Sequence, residues 1–250
     1  YGADVQFLME KGFDIRGYDP YYRPELIRKK YDTIFCGYVL NVLMKSEQTR
    51  VLMQVSELLR FGGKAFFAVR RDVKYPGFRV HKIHKRKTYQ CNVILPFKSV
   101  LRNDFCEIYE FEHFNSLIKE NTDCAFCSPT DRELLSENIL TYAIADKYPV
   151  SKGHSLVISK RHCPNYFDLS DKEKASCTLM MDHIQKKLKR EYQPDGFNVG
   201  ININEVAGQT VFHSHIHVIP RYDGDTDDPT GGVRNVIDGQ GNYLTKSEKP

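Results

Sequence analysis

The stretch Gly208-Gln209-Thr210-Val211-Phe212-His213-Ser214-His215-Ile216-His217-Val218-Ile219-Pro220 decides how this chain is read. Polar and apolar residues alternate through it, and along a strand successive side chains point to opposite faces. The alternation predicts a strand over Val211–Ile219, with His213, His215 and His217 on one face and Phe212, Ile216 and Val218 mostly serving the other. Three imidazoles on one pleated face are seldom placed for packing. They suit metal binding, phosphate contact or nucleophilic catalysis.

Outward from this stretch the pattern is consistent. Phe197–Ile203 alternates as a neighbouring strand, and Pro194-Asp195-Gly196 separates it from a long helix over Asp171–Glu191. That helix spaces Cys177, Met180, Met181, Ile184 and Leu188 for one face. Ile139–Ala145 and His154–Ser159 read as strands joined through a Pro149–Gly153 turn, and Asp131–Ser136 as a turn of helix. Hairpins around one long helix point to α+β with an antiparallel sheet.

Over roughly Cys124–Tyr243 these residues resemble the histidine triad (HIT) superfamily of nucleotidyl hydrolases and transferases. The resemblance rests on Asp146 eight residues before His154, the Gly153–Ile158 strand and Lys160-Arg161-His162. It continues through the strand of Asn202, Gly208-Gln209-Thr210, the three histidines, Pro220-Arg221-Tyr222 and Gly231-Gly232-Val233-Arg234. It implies that His215 is the nucleophile, forming a nucleotidyl-histidine that water resolves. His217 would hydrogen-bond near the phosphate, Gln209 and Thr210 would contact the phosphates and leaving group, and Asn202 would steady them. His154 would line the pocket and Asp146 would take the ribose hydroxyls. Tyr142 and Ile144 would wall the base pocket, with core packing the other reading of Ile144.

Cys124-Ala-Phe-Cys127 has a spacing that zinc favours, but two further ligands are needed. The resemblance supplies them as His162 and His213, and Cys163 is left out. Four protein ligands close the shell, so such a zinc is structural. The alternatives are a redox pair and two unligated thiols. His113 has no assignment, and His183 in the long helix reads as a surface residue.

The implied function is hydrolysis at the α-phosphate of a dinucleoside polyphosphate or nucleoside phosphoramidate, releasing a nucleoside monophosphate. Transfer of the nucleotidyl group to another acceptor is one alternative. A nucleotide-binding or sensing module is the other. The resemblance also implies a homodimer through the HIT domain.

Before Phe114 the grammar differs. Ala3–Lys11 reads as a helix, Phe13–Tyr18 as a strand, Tyr31–Tyr38 as a second strand, Ser46–Phe61 as an amphipathic helix and Lys64–Arg70 as a third strand. Helices alternating with continuous apolar strands argue for a parallel sheet. Thr88–Pro96 and Phe105–Phe111 read as a closing antiparallel pair. Asp19, Asp32 and Leu58-Leu59-Arg60-Phe61-Gly62-Gly63 are similar to the ribose acid, fourth strand and turn of class I S-adenosylmethionine-dependent methyltransferases. Only Tyr1-Gly2 remains of the glycine-rich cofactor loop. The expectation is therefore a Rossmann-like α/β domain over 1–114, truncated ahead of Tyr1, and a HIT domain over 115–250. Unpaired sheet edges and an exposed apolar strip are expected, with S-adenosylmethionine bound only by a longer parent chain.

Composition agrees. The 250 residues are 41% hydrophobic and 27% charged, which excludes disordered and fibrous classes. No apolar run reaches the length of a membrane span. Residues 1–118 hold 20 Lys and Arg against 13 Asp and Glu, whereas 119–250 hold 16 against 19. The basic segment 79–87 has one neighbouring aromatic, Tyr89, and reads as a solvated loop rather than a nucleic-acid surface. Seven cysteines at this size point to a reducing compartment, the cytoplasm.

Overall fold

The computed structural model describes residues 2–19, 25, 29–80, 85, 87–114, 123–129, 133–238 and 240–242. The chain divides into two units, Tyr1–Lys30 and Tyr31–Pro250. The first contains helix α1 (Ala3–Glu10), none of whose residues is buried. No ladder forms along Phe13–Tyr18, apart from an isolated bridge at Asp19. An extended backbone becomes a strand only when a neighbouring strand takes its hydrogen bonds, and among the described residues Phe13–Tyr18 has none.

The second unit holds two main sheets. Strands β1 (Tyr31–Gly37), β2 (Leu59–Arg70), β5 (Lys98–Arg102) and β6 (Cys106–Phe111) form a mixed sheet in the order β1-β2-β6-β5. β1 and β2 are parallel because helix α2 (Lys45–Leu58) carries the chain back between them; β2–β6 and β6–β5 are antiparallel. The helix stops at Leu58, three residues before the predicted end. There the ladder jumps from Tyr31–Leu59 to Thr33–Lys64, and Gly62 takes a φ of +75°. A Cβ on Gly63 would lie 2.8 Å from the Asp32 carbonyl, so that turn needs glycine.

The closing pair is also redistributed. β4 (Lys87–Gln90) pairs with β3 (Gly77–Val80) in a separate hairpin, and the partner of β6 is β5. Cys91, Val93 and Leu95 are buried as a strand pattern requires, but their segment is irregular. Asn92 makes both hydrogen bonds to the Val73 backbone that a ladder would have made, at 3.0 and 2.9 Å. Of the basic segment, 81–84 and 86 lie outside the described residues.

The other sheet is antiparallel throughout, in the order β10-β11-β9-β8-β7. It comprises β7 (Leu134–Glu137), β8 (Thr141–Ala145), β9 (Ser155–Ser159), β10 (Gly196–Gly200) and β11 (His215–Arg221). Leu134–Glu137 is therefore a strand where a helical turn was expected; short segments lack the length that separates the two patterns. Helix α3 (Asp171–Tyr192) covers one face, burying Cys177, Met180, Ile184 and Leu188 against Ala143, Val157, Ile216 and Val218. A Ser170–Glu173 capping box starts it, and Gln193 ends it in the left-handed conformation.

Helix α2 joins the two sheets. Leu52 and Val55 enter the core of the mixed sheet, whereas Met53 enters the core under α3. The Glu137 amide on edge strand β7 donates to Ser56 Oγ at 2.9 Å. Glu57 meets His183 and Lys187 at 3.0 Å and Arg190 at 3.4 Å. His183 is thus an interface residue, contrary to the surface reading. Burial alone would raise the Glu57 carboxyl, but the His183 bond and the Lys187 charge outweigh it and hold it at about 2. His113 is likewise engaged, with Nδ1 2.7 Å from the fully buried Glu137 carboxylate, which also receives the Phe114 amide and Lys160.

Candidate functional site

The strand of the histidines begins at His215, later than the alternation predicts. Val211–His213 is a bend in which the His213 amide donates to the Val211 carbonyl at 2.8 Å. Alternation therefore governs only His215 and His217, whose rings lie 5.1 Å apart. Ile216 and Val218 fill the core under α3 as expected, while Phe212 is 47% exposed in the bend rather than packed beneath it. The break in the strand lets His213 turn away from its neighbours.

His213 is fully buried beside the Cys124–Cys127 turn. Its Nδ1 lies 3.4 Å from Cys124 Sγ and 3.5 Å from Cys127 Sγ, and His162 Nδ1 lies 3.3 Å from Cys127 Sγ. All four ligand atoms fall within 4.8 Å of one another. His213 Nε2 donates to the Ser159 carbonyl at 2.7 Å, which leaves the lone pair of Nδ1 for the cluster. Two thiols and two imidazoles with that tautomer fixed are a donor set suited to one tetrahedral metal ion. The adjacent Cys163 points elsewhere, its thiol 3.3 Å from the Asn165 carbonyl. Arg161 anchors the segment by a bidentate bond to Glu173 at 2.8 and 2.9 Å. Those bonds hold the Glu173 carboxyl at about 2.

Two residues on, His215 is nearly buried, and its Nδ1 donates to the His213 carbonyl at 2.7 Å. A carbonyl can only accept, so the proton of the neutral ring sits on Nδ1 and Nε2 keeps its lone pair. Phe126 stacks edge-on against the ring at 5.1 Å. His217 Nδ1 lies 3.0 Å from His154 Nε2, and Asp146 Oδ2 lies 3.4 Å from His154 and 3.8 Å from His217. Burial, then the charges that His215 and His154 would carry, push His217 down to about 4 despite Asp146. Burial also lowers His154. Both rings are neutral at pH 7.

Other expected residues fall differently. Gln209 is buried and faces inward: its amide donates to the carbonyls of Pro164 and Val211 and accepts from the Asn204 amide. It braces the loop before the bend with both its amide oxygen and its amide nitrogen engaged. Thr210 is exposed and Asn202 half-buried on the same loop. Tyr142 and Ile144 are fully enclosed among Phe114, Phe126, Leu156 and Ile158. The Tyr142 hydroxyl donates to the Phe126 carbonyl, so neither residue offers surface to a base. Asp19 lies in the Tyr1–Lys30 unit.

Sequence reading missed the Ser159 carbonyl, Phe126 and the Arg161–Glu173 pair. Main-chain groups leave no sequence signal. The capping box Ser170-x-x-Glu173 was there to be read, and it would have placed a carboxylate at the start of α3.

Comparison with known proteins gives the family. The family model described as HIT domain matches residues 129–224. A HIT-like protein of 16.1 kDa from Mycoplasma pneumoniae is 37% identical over 41% of this chain and 74% of its own length. The AP-4-A phosphorylase of Mycobacterium tuberculosis is 37% identical over 34% of this chain and 45% of its own. Adenylylsulfatase HINT3 of Arabidopsis thaliana is 35% identical over 41% and 54% respectively. An antiparallel sheet backed by one helix, with histidines at one strand, defines the class, and the chain belongs to the HIT family. No helix among the described residues is long and apolar enough to cross a membrane.

Proposed function

We propose that this protein is a nucleotide hydrolase working through a nucleotidyl-histidine intermediate. The observation that carries the reading is the Nδ1–H of His215 held by the His213 carbonyl, which leaves the Nε2 lone pair free on a ring 5.1 Å from that of His217. Nε2 attacks the α-phosphorus, the P–N bond forms, and the bond to the leaving phosphate or amine breaks. Water then displaces His215, releasing a nucleoside monophosphate and restoring the ring. His217 and Thr210 contact phosphate oxygens, Asn202 steadies them and Asp146 takes the ribose hydroxyls.

Relatives named AP-4-A phosphorylase and adenylylsulfatase support a nucleotide substrate. The first name also favours the second reading, transfer of the nucleotidyl group to phosphate in place of water. Cys124, Cys127, His162 and His213 hold a zinc ion whose part is structural: it fixes the bend from which the His213 carbonyl reaches His215. The domains divide near Phe114. The mixed sheet belongs to a methyltransferase-like domain. A second copy pairs through the HIT domain, along helix α3 and the edge strand β10. A reducing compartment such as the cytoplasm suits cysteines that form no disulfide.

Rapid quenching with diadenosine tetraphosphate or an adenosine phosphoramidate, followed by intact-mass measurement, tests the reading. One transient adenylyl adduct, absent in His215→Ala, is expected, and the faster substrate identifies the subclass. Neither adduct nor product from either substrate would replace the hydrolase with a nucleotide-binding module.

A further inference from the structure

The turn between β8 and β9 ends in a chain of hydrogen bonds whose direction is set by one atom. The Val150 amide can only donate, and it meets His154 Nδ1 at 3.3 Å. That nitrogen therefore holds a lone pair, and the proton of the neutral ring sits on Nε2. Asp146 Oδ2, at 3.4 Å, favours the proton there, while Asp146 Oδ1 accepts the Tyr148 amide. His154 Nε2 donates in turn to His217 Nδ1 at 3.0 Å. His217 is left with its proton on Nε2, a buried atom without a hydrogen-bond partner among the described residues.

The turn is rigidly placed for this task. Ser151 Oγ donates to the Pro220 carbonyl at 2.6 Å, and the Tyr222 hydroxyl to the Lys152 carbonyl at 2.8 Å, so the turn is clamped to the far end of β11. Gly153 closes it with a φ of +87°, where a Cβ would come within 2.9 Å of the Tyr192 ring. The amide, the two imidazoles and the strand thus form one fixed path.

We propose that the main-chain amide of Val150, acting through His154, sets the tautomer of His217 and so presents an N–H to the oxygens of a bound phosphate. His154 is a positioning residue in this scheme. The opposite tautomer would face a phosphate oxygen with a lone pair and lose the donor. The identity of the ligand rests on the nucleotide reading above; the tautomer path does not.

Imidazole 15N NMR of the full ligand-free chain reads it directly, with His217→Asn used to assign the ring. Wild-type His217 is expected protonated on Nε2. Val150→Pro removes one amide hydrogen from a residue whose side chain is 73% exposed, and His154→Leu removes the relay. Both should shift His217 towards a mixture of tautomers. His154→Gln keeps a donor where Nε2 was and should restore the wild-type spectrum, even if the proline variant fails to fold. His154→Leu should lower kcat about 10–100-fold with KM within about threefold, and His154→Gln should recover most of it. A wild-type His217 protonated on Nδ1, or one unchanged in His154→Leu, overturns the proposal. If no substrate turns over, the hydrolase reading falls while the spectra still decide this one.

Discussion

The two sheets share α2, yet they use their second faces in opposite ways. Each buries one face against a helix: Phe67, Val69 and Tyr109 in the mixed sheet, Ala143, Val157 and Ile216 in the antiparallel one. On its other face the mixed sheet leaves Phe35 stacked on Phe66 at 5.5 Å, with Phe35 65% exposed on an edge strand. The antiparallel sheet instead packs Tyr142, Ile144, Leu156 and Ile158 there under Phe114 and Phe126, and sets beside them imidazoles most of whose polar atoms have a directed partner. Hydrophobic alternation builds both sheets alike. What separates a site from a bare surface is whether hydrogen bonds fix the orientation of its polar groups.

The sharpest way to break that contrast is to remove one histidine. His215→Ala should reduce turnover of any nucleotide substrate at least about a thousandfold while nucleotide affinity stays nearly constant. Single-turnover kinetics beside equilibrium binding measure both. Turnover near the wild-type rate would mean that another group attacks. Metal content should not change, because His215 is held by the His213 carbonyl and not by the cysteine cluster.

The next effect belongs to the bend. Cys124→Ser should reduce bound zinc, measured by elemental analysis, and lower the melting temperature by roughly 5–10 °C, the scale of losing a few kcal/mol in a protein of this size. Turnover should fall with the metal, since the bend supplies the carbonyl that orients His215. Equal zinc content in the variant would dismiss the four-residue cluster.

Why one half of the molecule was legible follows from the same contrast. Strands β8, β9 and β11 and helix α3 find their partners within about 90 residues, and their periodicity states which face is buried. His213 was assigned to a strand because alternation cannot register a bend that a side-chain cluster imposes. Tyr142 was assigned to a pocket because a buried hydroxyl satisfied by a carbonyl leaves no mark in sequence. Among the described residues, Phe13–Tyr18 in the first unit and Cys91–Pro96 in the second carried strand patterns without strand partners. The Asn92 side chain supplied one substitute, and nothing local to the sequence announced it. The role of α2 was legible on only one side: its amphipathic pattern announced one buried face, whereas Met53 and Ser56 gave no notice of a second.

That second side offers a stability test. Met53 is fully buried in the core beneath α3, so Met53→Ala should cost about 2–5 kcal/mol. Phe35→Ser, on the open face, should stay within about 0.5 kcal/mol. Chemical denaturation of both variants checks the pair. A larger loss at Phe35 would show that the open face is covered in solution.

The smallest effect lies at the charged rim of the same interface. Glu57 is held at about 2 in the folded chain, below the ordinary 4.5 of an unfolded glutamate. A depressed carboxylate contributes stability above 4.5, and the contribution is lost as the pH falls from 4.5 towards 2, because the unfolded chain takes up the proton first. His217 gives an earlier step of the same sign. Its ring sits at about 4 against an ordinary 6.5, so the unfolded chain gains protons, and stability is lost, as the pH falls from 6.5 towards 4. Glu57→Gln should flatten only the lower step, and His217→Asn only the upper. Urea midpoints measured between pH 7 and pH 3 separate them. If Glu57→Gln left the lower step intact, the ion pairs with His183, Lys187 and Arg190 would be solvated contacts rather than the fastening between α2 and α3.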